Sequence, residues 1–354
     1  MALDGHVPEL LARALCAAAT MAVVTGGKGG LERAQELLAR AASLAEAYPS
    51  PLLYGNICSA RAVCAMMRGR FEDVVEHSNG AERTFREASG SDEGEYYHRY
   101  AVITARLTAL FELGEHQLAT AELQRAVNDA RATENVAALL TLSSIRTRSE
   151  IAADQAERAL LRLEAEKPQL PAHRFGLLNA GHLTSVMRVG CATGDYAWTA
   201  RHMAVDFERM QQSILKRGGP FVFMLPAIHA RLLLNQAVAE GLGADEARRS
   251  VAQPLRAIAA AKPAAGVLHR TRARLALLAG DRKTAQRELE RSRGCFRQLS
   301  VRDEAARDDY AYGALLGAAE GAALQASALD ALRKHGYVNP LRDLRGYYPE
   351  LFER

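Results

Sequence analysis

One local pattern recurs along the chain and constrains the fold more than any single motif. An apolar helical stretch ends at a small turn, and a second helix with alanines at helical spacing starts at once. Clear cases are Met67-Arg68-Gly69-Arg70-Phe71, Leu113-Gly114-Glu115, Thr193-Gly194-Asp195-Tyr196 and Ala279-Gly280-Asp281. Weaker turns lie near Gly29-Gly30, Ala153-Asp154 and Gly243-Ala244-Asp245. Glycine at such a turn adopts the left-handed conformation that ends a helix at little steric cost. Junctions at positions 30, 69, 114, 153, 194, 243 and 280 are spaced by about 42 residues on average. Each second helix carries an apolar face, Leu31, Ala34, Leu37, Leu38, Ala41 and Ala45 in the first and Ala285, Leu289 and Phe296 in the last. The i, i+3, i+4, i+7 spacing sets one stripe against a neighbour. A lone hairpin cannot bury that stripe, so hairpins must stack. The expected fold is all-α: a right-handed superhelical solenoid of about seven to eight antiparallel helix hairpins.

Composition agrees with this expectation. Of 354 residues, 49% are hydrophobic but only 6% aromatic, with 11 prolines, which favours close-packed helices over a β-sandwich and excludes a disordered or collagen-like chain. Prolines fall between repeats, in Tyr48-Pro49-Ser50-Pro51, Lys167-Pro168 through Leu170-Pro171, Gly218-Gly219-Pro220 and Lys262-Pro263, where a missing amide hydrogen costs nothing. Stretches 90–94 and 239–245 are further loops. After the helix around Ala322–Lys334, Gly336 acts as terminator, Asn339 as N-cap and Pro340 as first helical residue. The chain therefore divides into a repeat region, 1–335, and a C-terminal cap, 336–354.

Five scattered cysteines (Cys16, Cys58, Cys64, Cys191, Cys295) without a Cys-x-x-Cys pair read as reduced core residues. The net charge is +4, unevenly spread: residues 201–300 hold 18 Lys/Arg against 8 Asp/Glu. That allows a local basic surface but not a nucleic-acid-binding charge pattern, so no nucleic-acid partner is expected. The apolar stretch Ala14–Val24 is too short to cross a bilayer, and Asp4, Glu9 and Arg13 before it do not make a secretory leader. The expected compartment is the cytoplasm, with no membrane partner.

The repeats are longer than the tetratricopeptide hairpin of roughly 34 residues, and particular residues carry a closer likeness. Glu32-Arg33-Ala34 through Leu44-Ala45, Leu107 through Leu113-Gly114-Glu115, and above all Gly336-Tyr337-Val338-Asn339-Pro340-Leu341-Arg342 stand in the order seen in one family region. The chain resembles the C-terminal, maltose-activator-like tetratricopeptide array of bacterial multidomain proteins that join a Ser/Thr kinase to a STAND-type ATPase. The resemblance implies a non-catalytic region that senses or binds partners, a kinase or ATPase domain among them. No kinase glycine loop, His-Arg-Asp or Asp-Phe-Gly motif is present, so kinase activity does not carry over.

Motifs that would make an enzyme are incomplete. Thr25-Gly26-Gly27-Lys28-Gly29-Gly30 looks superficially like a phosphate loop, but Gly29 stands where a Walker loop needs Ser or Thr. Glu95-Tyr96-Tyr97-His98 has the Glu-x-x-His spacing of di-iron proteins without the second copy. No cofactor, metal or catalytic residue is therefore expected. Candidate partner-binding residues are Tyr96, Arg99, Tyr100 and Arg106, crowded on the first helix of one hairpin, where aromatic and arginine side chains anchor a bound segment. Arg270 and Arg274 share a helical stripe that could face an anion, although solvated arginines covering an alanine-rich helix explain them as well. His182 and His229 lie on apolar first helices and read as hydrogen-bonded core residues. The expected function is a non-enzymatic protein- or peptide-binding scaffold of a regulatory system. The alternative is a small-molecule sensor with His182, His229 and Arg231 turned into an enclosed pocket.

Overall fold

The computed structural model describes residues 7–24, 29–88, 93–173, 175–217, 221–261 and 264–352. Among these residues there are eighteen α-helices and no strand. In chain order they are α1 (Val7–Val24), α2 (Gly30–Ala47), α3 (Pro51–Met67), α4 (Phe71–Ala88), α5 (Glu93–Glu112), α6 (His116–Ala132), α7 (Val136–Ala152), α8 (Ala156–Glu166) and α9 (Leu177–Thr193). There follow α10 (Tyr196–Gln212), α11 (Phe221–Ala239), α12 (Ala244–Ser250), α13 (Ala252–Ala259), α14 (Ala265–Leu278), α15 (Arg282–Gln298), α16 (Arg302–Leu316), α17 (Ala318–Lys334) and α18 (Pro340–Arg345). Short 3-10 turns span Lys167–Gln169, Ile214–Arg217 and Pro349–Leu351. The fold is an all-α array of helical repeats, with α11 returning through the two short helices α12 and α13.

The backbone shows why the hairpins turn where they do. Gly69, Gly114, Gly194 and Gly280 all have φ between 70° and 77°, and Asp154 takes the same region at 60°. At the α11–α12 turn the left-handed residue is Gly241 rather than Gly243. Asp195 and Asp281 then cap the returning helices by accepting from the amides of Trp198 (2.8 Å) and Thr284 (3.0 Å). Left-handed residues also occur at Glu134 and Ser300, two connections between hairpins that lack the glycine signal. The closing segment folds as expected: Gly336 has φ 102°, and the Asn339 side chain accepts from the Arg342 amide at 3.2 Å, with Pro340 opening α18. The residues of the Thr25–Lys28 loop and of the Gly218–Pro220 and Lys262–Pro263 connections lie outside those described.

The chain separates into two compact units, residues 1–111, 122–142 and 217–220 in the first and 112–121, 143–216 and 221–354 in the second. In unit 1, alanines and leucines of α1, α2 and α3 form one core (Ala12, Ala19, Ala34, Leu38, Leu53, Ile57), and α3, α4 and α5 meet around Phe85, Val74 and Ala109. In unit 2, α8 packs on α9, α9 on α10 and α11, and α13 on α14, and the order continues through α15, α16 and α17. All five cysteines are free thiols, four of them buried.

Helix α11 qualifies by length and composition as a bilayer span over Val222–Ala239, where no membrane-spanning stretch is expected from the sequence. Within unit 2 it packs against α9, α13 and α14, and it buries Asn235, whose side chain donates to the Gly346 carbonyl at 2.9 Å.

Close packing of the hairpins depends on small residues at the crossing points. A Cβ placed on Gly190 of α9 would lie 2.1 Å from Thr199 Oγ1 of α10, whereas one on Gly294 of α15 would meet nothing within 4 Å. Gly190→Ala should therefore destabilise the protein by about 1–3 kcal/mol through overpacking. Gly294→Ala should leave it unchanged or stabilise it by up to about 1 kcal/mol, since alanine is the better helix former. Urea denaturation of the two variants checks this contrast.

Candidate functional site

Two clusters of charged side chains stand out, one in each unit. In unit 1, α4, α5 and α6 enclose a cleft of about 350 Å³ whose lining includes Glu82, Arg99, Arg106, Glu122, Arg125 and Asp129. Arg106 is its fixed point, with 8% of its surface exposed. Its Nε donates to Glu122 at 2.8 Å, its Nη1 donates to Asn79 at 3.1 Å, and Nη1 also donates to Glu82. Arg86 donates to the other Glu82 oxygen at 2.8 Å. Burial opposes the charge on Glu82, but the Arg106 and Arg86 guanidinia outweigh it and hold its pKa below the ordinary carboxylate value.

Six residues before Arg106 on α5, Tyr100 donates its hydroxyl to Asp129 at 3.0 Å while its ring is buried. Arg99 meets the same Asp129 oxygen at 3.3 Å, yet its buried Nε has no hydrogen-bond partner. Arg125, exposed at the rim, pairs with no carboxylate among the described residues. The cleft thus brings together Arg99 and Arg106 of the expected residues, with Tyr100 beneath them. The Tyr96 side chain, like those of Glu95 and His98, lies outside the described residues.

In unit 2 the charged residues are buried. Helix α16 presents Asp303, Glu304, Arg307 and Asp308 on one face, the i, i+1, i+4, i+5 positions of successive turns. Asp303 accepts from His116 Nε2 (2.5 Å), His335 Nδ1 (2.8 Å) and the Tyr337 hydroxyl (3.0 Å). Arg307 reaches Asp343 at 2.7 Å, and Asp308 accepts from Arg270 Nε at 2.6 Å, from Ser292 at 2.5 Å and from the Tyr348 hydroxyl. Arg274 grips Glu350 with two hydrogen bonds of 2.8 and 2.9 Å. Arg270 and Arg274 are 7% and 2% exposed. They are not solvated arginines on an outer helix face: their guanidinia are engaged by carboxylates of α16 and of the C-terminal segment.

That segment returns across the first helices of four hairpins. Val338 N donates to the Ala152 carbonyl at 2.9 Å, Arg342 donates to Asp154 at 2.9 Å, α18 packs on α9, and the 349–351 turn packs on α11 and α14. Tyr337, Leu344 and Tyr348 are buried by this return.

The two histidines sit elsewhere. His182 is 3% exposed and neither ring nitrogen has a hydrogen-bond partner, which departs from the expected hydrogen-bonded core histidine. The His229 ring packs 4.5 Å from that of Phe207. Burial, joined at His182 by the nearby Lys167 charge, pushes both down to about 4. Neither is among the residues lining the unit 2 cavity that Arg231 borders, which measures about 40 Å³. Among the described residues no group of three His, Cys, Asp or Glu side chains could hold a metal ion.

Sequence reasoning did not find Glu82, Glu122 and Asp129 of the cleft or Arg148, Arg188, Arg307 and Tyr347 of unit 2. A signal existed for Arg307, since charges at i, i+1, i+4 and i+5 of an alanine-rich helix mark one polar face. No family model and no curated protein matches the chain.

The buried histidines set a pH dependence. The unfolded chain takes up protons near pH 6.5 that folded His182 and His229 refuse until about 4, so their contribution to stability is complete above pH 6.5 and is lost as pH falls from 6.5 to 4. The loss should reach up to about 3 kcal/mol per histidine. His182→Leu should flatten that slope and raise stability at pH 5. Urea midpoints measured across pH 4–7.5 report both effects.

Proposed function

We propose that the chain is a non-enzymatic recognition module whose unit 1 cleft binds an extended segment of a partner protein through an acidic side chain of that segment. The observation that carries this reading is the buried Arg99 Nε without a partner beside the unpaired Arg125, in a cleft of about 350 Å³. The remaining charges of the cleft are already matched: Arg106 is gripped by Glu82, Glu122 and Asn79, which holds the wall in place. An incoming carboxylate would complete Arg99 and Arg125, and Ile103 and Ala126 offer apolar contact alongside. Guanidinia, carboxylates, an amide and aliphatic groups are recognition chemistry of the kind repeat proteins display. The resemblance to the helical-repeat region of bacterial kinase and STAND ATPase signalling proteins points the same way and makes a regulatory partner in the cytoplasm the natural occupant.

A displayed library of 12-residue peptides panned against the whole protein should enrich sequences carrying Asp or Glu. Their affinity should fall about tenfold in Arg99→Ala and in Arg125→Ala, the cost of one lost charge-assisted hydrogen bond. Enriched peptides that bind both variants as tightly as the parent, or no enrichment at all, would overturn the proposal.

A further inference from the structure

Four arginines from four helices converge on the small cavity of unit 2: Arg148 of α7, Arg188 of α9, Arg231 of α11 and Arg307 of α16. A single carboxylate, Asp343, lines it, and Arg307 Nε already donates to that group at 2.7 Å. Arg148 donates to Glu112 at 2.7 Å. Of the other two, Arg188 has its charge disfavoured, whereas at Arg231 burial opposes the charge but Tyr347, Cys191 and Glu304 outweigh it and hold the pKa above its ordinary value. Arg188 makes no hydrogen bond or ion pair with the described residues, and Arg231 has a buried Nε without a partner and no carboxylate pair among them. Arg231 and Arg307 both lie over the Tyr347 ring, 4.2 and 4.1 Å from its centroid, which spreads their charge over a π face but does not cancel it.

The electrostatic consequence is visible at Arg188. Burial, then the neighbouring Arg148 and Arg231 charges, bring its pKa down to about 10. It remains protonated at neutral pH, so at Arg188 the cavity carries a positive charge that no carboxylate among the described residues pairs with. A buried charge left without its counterpart is unfavourable, and the geometry calls for an anion. Size narrows the choice. The cavity volume of about 40 Å³ holds roughly three water-sized spheres, the bulk of a tetrahedral oxyanion and not of a nucleotide or a sugar.

We propose that this cavity binds a phosphate-type oxyanion, held by Arg188 and Arg231, with Arg148 and Arg307 adding charge from the walls. Guanidinium forks suit such an anion because two parallel N–H donors match two of its oxygens. Asp343, Gly346 and Tyr347 of the C-terminal segment form part of the wall, so the anion would tighten the docking of that segment on α9 and α11. This site is independent of the unit 1 cleft, and each proposal stands or falls alone.

Isothermal titration of the whole protein with inorganic phosphate, against chloride at matched ionic strength, tests it. The expected result is saturable binding at one site and a thermal midpoint that rises with phosphate concentration. Arg188→Gln and Arg231→Gln should each weaken phosphate binding about tenfold or more. Arg188→Gln should also melt no lower than the parent in phosphate-free buffer, because it removes a repelled charge; a residue of purely structural importance would melt lower. Should Arg188→Gln fail to fold, Arg231→Gln reads the same loss of affinity. A parallel titration with phosphoserine separates a free ion, bound alone, from a phosphate group on a larger molecule, bound equally well. No saturable phosphate heat, or unchanged affinity in the folded variants, would overturn the proposal.

Discussion

Unit 2 depends on a buried network of guanidinium–carboxylate pairs arranged along one face of α16. Asp303, Glu304, Arg307 and Asp308 each meet partners from other elements, and most of those partners belong either to the first helices of hairpins or to the C-terminal segment. Burying ionised groups is unfavourable unless every donor and acceptor finds a match. Here the matches are dense: Asp303 and Asp308 each accept three hydrogen bonds, and Glu304, drawn between Arg270 and Arg307 against the penalty of burial, has its pKa lowered to about 2. A network of this kind contributes register more than net energy, because a shifted C-terminal segment would leave several charges buried and unmatched.

The network explains why the two units offer different surfaces. An array of helix pairs exposes the first helices of its hairpins as a natural place for a ligand. In unit 2, residues 337–352 lie against α7, α9, α11 and α14, so the chain supplies its own occupant there, beside the small arginine-lined cavity that Tyr347 borders. In unit 1 the residues of α4, α5 and α6 keep an open cleft with one guanidinium nitrogen unmet. The recognition of a foreign segment that we propose for unit 1 would use the same chemistry as the retention of the chain's own segment in unit 2, arginine against carboxylate with a tyrosine alongside.

The fold was legible from the sequence because its signals are local. Glycine at a helix end and alanine at helical spacing act within a few residues, and the left-handed conformations of Gly69, Gly114, Gly194 and Gly280 follow from them directly. Where a junction uses Glu134 or Ser300 in that conformation, no residue type announced it. The site was legible only in part. Arg99, Tyr100 and Arg106 cluster on one helix and could be read together, but their partners Glu82, Glu122 and Asp129 come from other helices and carry no motif. The burial of Arg270 and Arg274 escaped detection for the same reason. An arginine on an alanine-rich helix looks solvated until Asp308 and Glu350, 38 and 76 residues further on, arrive to pair with it.

The central claim is that buried ion pairs hold the C-terminal segment onto the hairpins of unit 2, and the Arg274–Glu350 pair tests it most directly. A double-mutant cycle with Arg274→Met, Glu350→Leu and the combination, read by urea denaturation, isolates the pair. Each single substitution should cost about 3–5 kcal/mol by stranding the other charge. The double variant should cost less than their sum by about 2 kcal/mol or more. Strictly additive costs would contradict the account, since they would mean that the two residues stabilise the protein without touching one another.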